Sequence, residues 1–271
     1  MVEVFENELI SPHRQSSKGN QLKWKTSGDK WYKADYLGYE GLVEYVVSEI
    51  LKMSTLSAEE FIVYDPEQIS YKSQIYNGCV STDIIGDSDW NFITLERLFK
   101  NRFGKGLNKG IYSISDHEKR LKFMVESVQS CTGIKDFGIY INKLFTIDNI
   151  ILNEDRHTHN IAVLVNSKNE YKLCPIFDNG AGLLSDIRQD YPLSQDTYSL
   201  METVKAKTIC DDFEEQMFLS EKNYGENIHF SLSHKKLDQI LEKANIYPSE
   251  ERQRVYDILI EQMRKYKYLF K

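Results

Sequence analysis

The sequence predicts an α+β protein in two lobes, a mixed β lobe carrying one helix over residues 1–99 and a mainly helical lobe over 100–271. Three observations lead there: bulky and polar residues alternate over 22–34, apolar residues recur at helical spacing over 40–52, and longer helical periods take over after about residue 100. With 41% hydrophobic residues, 17 Tyr and 13 Phe, the 271-residue chain has enough apolar area for a sizeable core, so disorder as the main state is excluded.

The elements follow in order. LKWKTSGDKWYKA, residues 22–34, alternates on both sides of Ser27-Gly28-Asp29, the pattern of a hairpin with a glycine-containing turn. In EGLVEYVVSEILK, residues 40–52, Leu42, Val43, Val46, Val47, Ile50 and Leu51 share one broad face, which predicts an amphipathic helix. Short apolar runs at 61–64, 79–85 and 92–95 complete the first sheet. Capping-box spacing over Ser115-Asp116-His117-Glu118 opens a helix through Val128 that stops before Gly133, and a second helix runs from Phe137 to about Ile151. Residues 161–165 and 171–177 flank the turn Asn166-Ser167-Lys168-Asn169, a second hairpin. From Leu237 the tail is helical, broken at Pro248 and restarted at Ser249.

Charge and cysteine usage exclude several roles. Lys and Arg number 34 against 41 Asp and Glu, a net charge of -7, which works against nonspecific binding of nucleic acid or anionic membranes. Cys79, Cys131, Cys174 and Cys210 are widely spaced without a CxxC pair, so they read as reduced and packed. The first residues lack a basic-then-apolar leader pattern, and no run approaches about 18 uncharged apolar residues. A cytoplasmic protein, with no membrane role, is the expectation.

The residues that carry chemistry lie in NEDRHTHNIAVLV and CPIFDNGAG. Asp155 and Asn160 precede the first strand of the second hairpin and Asp178 follows its second strand, so the hairpin brings all three to one edge. Phosphoryl transfer from ATP needs such an edge: one carboxylate orients or deprotonates the acceptor hydroxyl, while a second carboxylate and an amide oxygen hold Mg²⁺ on the phosphates. Asp155 is the candidate base, and Asn160 and Asp178 are the candidate metal ligands. His157 and Arg156 read as shaping the loop. Asp136-Phe137-Gly138 spells a metal-binding triplet but precedes Asp155 and opens a helix, and Gly104-Lys105-Gly106 reads as a connector, so neither belongs to the site.

The same chemistry requires donors over the phosphates and a lysine on a strand. Ser16-Ser17-Lys18-Gly19-Asn20-Gln21 is the candidate segment. Lys33, alone, reads as a solvated edge lysine; with the downstream site it reads as the phosphate-neutralising one. A helical wheel over the following helix favours Glu40 over Glu44 as its carboxylate partner.

With these residues assembled, the chain resembles the HipA-like serine/threonine kinases, including the short CtkA-type bacterial members, and more distantly the phosphatidylinositol 3- and 4-kinases. SSKGNQLK, residues 16–23, is similar to the family's phosphate loop, which would put Lys18, Gly19, Asn20, Gln21 and Lys23 on the nucleotide beside Lys33. TLERLF, residues 94–99, is similar to the hinge that holds adenine, with Glu96 and Leu98 at the contacting positions; Leu98 stands where Phe is usual. NEDRHTHN matches the catalytic loop, with Asp155 as base, His157 beside it and Asn160 as metal ligand, and Phe177-Asp178 matches the second metal position. The resemblance implies a two-lobed protein-kinase-like fold, ATP and Mg²⁺, a protein substrate with a Ser or Thr acceptor, autophosphorylation at Ser16 or Ser17, and an antitoxin-like protein partner. A lipid or small-molecule kinase and a nucleotide-binding pseudokinase are the alternatives.

Overall fold

The computed structural model describes residues 1–10, 21–83, 85 and 88–271. Its first sheet has five strands in the order β1-β4-β5-β3-β2. β1 (Val2–Glu3) runs parallel to β4 (Tyr64–Tyr71), and β2 (Lys23–Thr26) and β3 (Lys30–Ala34) form the expected hairpin. β4 and β5 (Gln74–Thr82) form a second hairpin whose two turn residues, Lys72 and Ser73, both have positive φ. Such a turn ordinarily announces itself by Asn or Gly, which is why the sequence did not reveal it.

Strand alternation gives β3 two faces. Tyr32 and Ala34 pack with Trp24, Ile69, Tyr71 and Val4 in a small apolar cluster, which leaves Lys33 on the opposite face, where α1 (Glu40–Leu51) lies. The helix sits against the sheet at glycine: a Cβ on Gly41 would come within 2.5 Å of the Gly78 carbonyl carbon, and one on Gly78 within 2.1 Å of the Lys33 carbonyl oxygen. Gly41 and Glu44 are three residues apart on one helical face, so this close approach aims Glu44 at Lys33.

β6 (Asn91–Thr94) leaves the first sheet and pairs antiparallel with β7 (Ala162–Val165), which pairs with β8 (Tyr171–Leu173). α2 (Leu95–Phe103) starts at once, capped by Thr94, whose side chain accepts from the Arg97 amide. The boundary expected at residue 99 therefore runs through a helix, and the change of sheet comes earlier, between Thr82 and Asn91. The apolar run 92–95, expected in the first sheet, lies in the second, because a run of that length says nothing of its strand partner.

The remaining helices are α3 (Leu107–Tyr112), α4 (His117–Thr132), α5 (Phe137–Ile151), α6 (Thr197–Met201), α7 (Phe213–Tyr224), α8 (His234–Lys243) and α9 (Ser249–Lys265). Asp116, not Ser115, caps α4 by accepting from the Lys119 amide, and Gly133 ends it in the left-handed conformation. α5 is buried almost all round, packed by α7 and α9 within one large apolar core that also takes in α1. Among the described residues no helix is long and apolar enough to cross a membrane.

Candidate active site

Lys33 is nine-tenths buried, and its Nζ lies 2.6 Å from Glu44 Oε1 and 3.1 Å from Asp178 Oδ1. The Tyr64 hydroxyl is 3.4 Å away. Burial alone would lower the lysine's pKa, but Glu44, Tyr64 and Asp178 outweigh it and raise it well above the ordinary value. Burial likewise works to raise Asp178, and Lys33, Lys23 and Arg156 together hold it well below the usual carboxylate range. Both groups are thus charged near neutral pH. Glu44 completes the arrangement by accepting from the Asn179 amide at 3.0 Å through its other oxygen.

The wheel's preferred partner, Glu40, does something else. Its carboxylate accepts from the backbone amides of Tyr36, Leu37 and Gly38 at 3.2, 2.7 and 3.2 Å, fixing the turn into α1. As the first residue of α1 it lies over the preceding 36–38 turn, and its carboxylate is taken up by those backbone amides. Glu40 nevertheless lines the cleft.

Asp155 and Asn160 are bound to each other: the Asn160 amide nitrogen donates to the Asp155 carbonyl at 2.9 Å and to its Oδ2 at 3.0 Å. That commits the amide nitrogen and leaves the amide oxygen as the atom of this side chain suited to a cation. His157 Nε2 lies 3.6 Å from Asp155 Oδ1. Burial pushes the imidazole pKa below its ordinary value, with Asp155 opposing and His159 assisting.

Arg156 holds the loop in shape. Fully buried, it binds Asp148 through Nε at 3.0 Å and donates to the carbonyls of Asn160 and Phe177 and to Asn179 Oδ1. One guanidinium fork therefore joins α5, the 155–160 loop and the segment after β8. The backbone bends sharply around it, with Leu152, Asp178, Leu183 and Leu184 all at positive φ.

An open cleft is lined by Gln21, Lys23, Glu44, Asp155 and Asp178 together with Glu40 and backbone around Gly180. Across the β2–β3 ladder Lys23 is paired with Lys33, so both face this side. The structure thus assembles the expected Gln21, Lys23, Lys33, Asp155, Asn160 and Asp178. Sequence reasoning missed Tyr64, which carried no motif, and Glu154, Ser185 and Asp186 on the cleft wall.

Other expected residues lie elsewhere. Ser16, Ser17, Lys18, Gly19 and Asn20 fall outside the described residues. Phe177 packs edge-on against Phe92 at 5.0 Å, contributing its carbonyl to Arg156. Glu96 accepts from the Thr158 hydroxyl and the Asn108 amide, both at 2.9 Å, and Leu98 is buried among the helices, so neither side chain lines the cleft. The decoys behave as read: Asp136 precedes α5, and Gly104 ends α2 in the left-handed conformation.

No protein-family model matches the chain, and neither does a curated protein sequence. The solved structures that resemble it include a kinase and a toxin-antitoxin protein. Helicobacter pylori CtkA, a proinflammatory kinase, superposes with a TM-score of 0.63 at 16% identity, over 97% of this chain and 95% of CtkA. HipA of Shewanella oneidensis MR-1, solved with HipB and operator DNA, gives 0.44 at 12% identity, over 94% of this chain and 66% of HipA. Over nearly its whole length the chain therefore has the two-lobed α+β fold of the kinase CtkA.

Proposed function

We propose that this protein is an ATP- and Mg²⁺-dependent phosphotransferase of the HipA-like type that phosphorylates Ser or Thr hydroxyls of a protein. The observation that carries the reading is the buried Lys33, held between Glu44 and Asp178, two carboxylates that line the cleft together with Asp155. Asp178 and Asn160 supply hard oxygen donors of the kind Mg²⁺ takes, and Asp178 stays anionic, so the donor set fits. When bound there, Mg²⁺ would neutralise phosphate charge.

In this reading Asp155 orients the acceptor hydroxyl and takes its proton as the hydroxyl oxygen accepts the γ-phosphoryl and ADP leaves. Lys33 and Lys23 balance charge on the phosphates; a phosphate contact by Lys18, Gly19, Asn20 and Gln21 rests on the sequence resemblance. Autophosphorylation of Ser16 or Ser17 and an antitoxin-like partner rest on the sequence resemblance.

Labelled ATP with Mg²⁺ and either a generic protein substrate or phosphoinositide tests the reading. Transfer to protein is expected, with Asp178→Asn abolishing turnover and Asp136→Asn staying within a few-fold of the parent. Intact-mass analysis should find phosphate on Ser16 or Ser17, absent in Asp155→Asn. Transfer to lipid alone would reassign the substrate, and undiminished turnover by Asp178→Asn would remove the assigned site.

A further inference from the structure

On the helical lobe, remote in the chain from the residues above, three side chains of metal-ligating type converge. His117 is the first residue of α4, Glu215 the third of α7, and Cys210 lies two residues before Asp212, which caps α7. His117 Nδ1 is 2.8 Å from Glu215 Oε1, and the candidate ligand atoms of all three lie within 4.8 Å of one another. Cys210 is buried, with its thiol donating to the Asp212 carbonyl at 3.3 Å, while His117 and Glu215 are partly open to solvent.

We infer that His117, Cys210 and Glu215 form a zinc site that ties α4 to α7. One nitrogen, one sulfur and one carboxylate oxygen suit Zn²⁺, which takes mixed N, S and O ligands in tetrahedral geometry. Three protein ligands leave the fourth position to water. The span of 4.8 Å exceeds the edge of a zinc tetrahedron, so the three side chains close by small rotations on binding, and the existing His117–Glu215 contact already holds two of them together. On binding, the thiol loses its proton to solvent and its bond to Asp212 is exchanged for the metal.

The position gives the site a structural task. Two residues before Cys210, the Thr208 hydroxyl donates to the Arg156 carbonyl at 2.6 Å. Between them, Ile209 donates to Gln216 Oε1 and accepts from Arg120 of α4. A metal on Cys210 therefore stiffens the segment that supports the 155–160 loop, without touching the cleft.

Chelator-treated protein is titrated with Zn²⁺ and separately with Co²⁺, and bound metal is counted by mass spectrometry after gel filtration. One equivalent of zinc, a raised Tm and a thiolate-to-cobalt charge-transfer band are expected. Cys210→Ser should lose the band and the retained metal, and His117→Gln should weaken binding by at least about tenfold. Asp178→Asn should bind zinc like the parent, which separates this site from the proposed Mg²⁺ site. No retained zinc, no thiolate band, or binding as tight as the parent's in Cys210→Ser or His117→Gln would overturn the inference and leave His117–Glu215 as a surface ion pair. Both variants are also checked by circular dichroism, and His117→Gln, at a partly exposed position, keeps the test decisive if Cys210→Ser is misfolded.

Discussion

Lys33 and Asp178 stand 145 residues apart in the chain, yet the lysine ammonium lies 3.1 Å from the aspartate Oδ1. The contact links the first sheet to the segment after the second hairpin. Glu44, from α1, holds the other side of the same ammonium at 2.6 Å and also accepts from Asn179. Strand, helix and loop are thus locked around one buried cation, and the strength of that lock depends on Glu44 accepting at both oxygens.

Glu44→Gln tests it. The amide keeps one acceptor oxygen and presents NH₂ to a donor, so either Lys33 or Asn179 loses its partner. Phosphoryl transfer is expected to fall by at least about tenfold, equivalent to ~1.4 kcal/mol in the barrier. Glu40→Gln also gives up one acceptor oxygen and so loosens the 36–38 turn, but it should stay close to the parent in rate because its bonds are to that backbone and not to Lys33. Steady-state rates decide: equal losses in both variants would return Glu40 to the role the wheel gave it.

The difference between these two glutamates marks where sequence reading stops. Periodicity located α1 and alternation located β3, because both patterns follow from which face is buried. Which glutamate meets Lys33 depends on how closely α1 approaches the sheet, and that is set by Gly41 against Gly78, a contact no local pattern encodes. The Asp155, Asn160 and Asp178 constellation was legible because a hairpin ties the three together at short range. The 94–99 segment was not, since Thr94 can cap a helix as readily as end a strand, and the structure uses it for both.

His157 should titrate below the ordinary histidine value of 6.5, because burial disfavours the imidazolium more than Asp155 at 3.6 Å favours it. The sign for stability follows. With the folded pKa below the unfolded one, the folded state binds fewer protons between the two values, so stability is lost as pH falls through 6.5. NMR of the imidazole Cε1 proton should place the midpoint below 6.5 in the parent and lower still in Asp155→Asn. His157→Gln should flatten the acid side of the stability curve in that window. A midpoint that rises in Asp155→Asn would contradict the proximity of the two groups.

Glu96 offers the last test, because its carboxylate braces Thr158 of the 155–160 loop and the Asn108 amide at the start of α3. Gly106 is what makes room for it: a Cβ there would lie 1.5 Å from Glu96 Oε1. Gly106 has φ -71, ordinary for any residue, so Gly106→Ala meets no backbone penalty and would by chain entropy alone stabilise the fold by about 0.4–1 kcal/mol. The clash reverses that sign by turning the carboxylate away from both donors. Hydrogen bonds to a charged acceptor contribute roughly 1.5–3 kcal/mol, so Glu96→Ala should destabilise by about that amount and Gly106→Ala by somewhat less, its entropy gain offsetting part of the loss. The double variant should cost no more than either single one, since both remove the same brace. Urea denaturation of the four proteins measures the cycle. A Gly106→Ala variant more stable than the parent, or additive losses, would show that the carboxylate holds the loop only incidentally, and a Glu96→Ala variant that changed ATP KM without loss of stability would move Glu96 from brace to adenine contact.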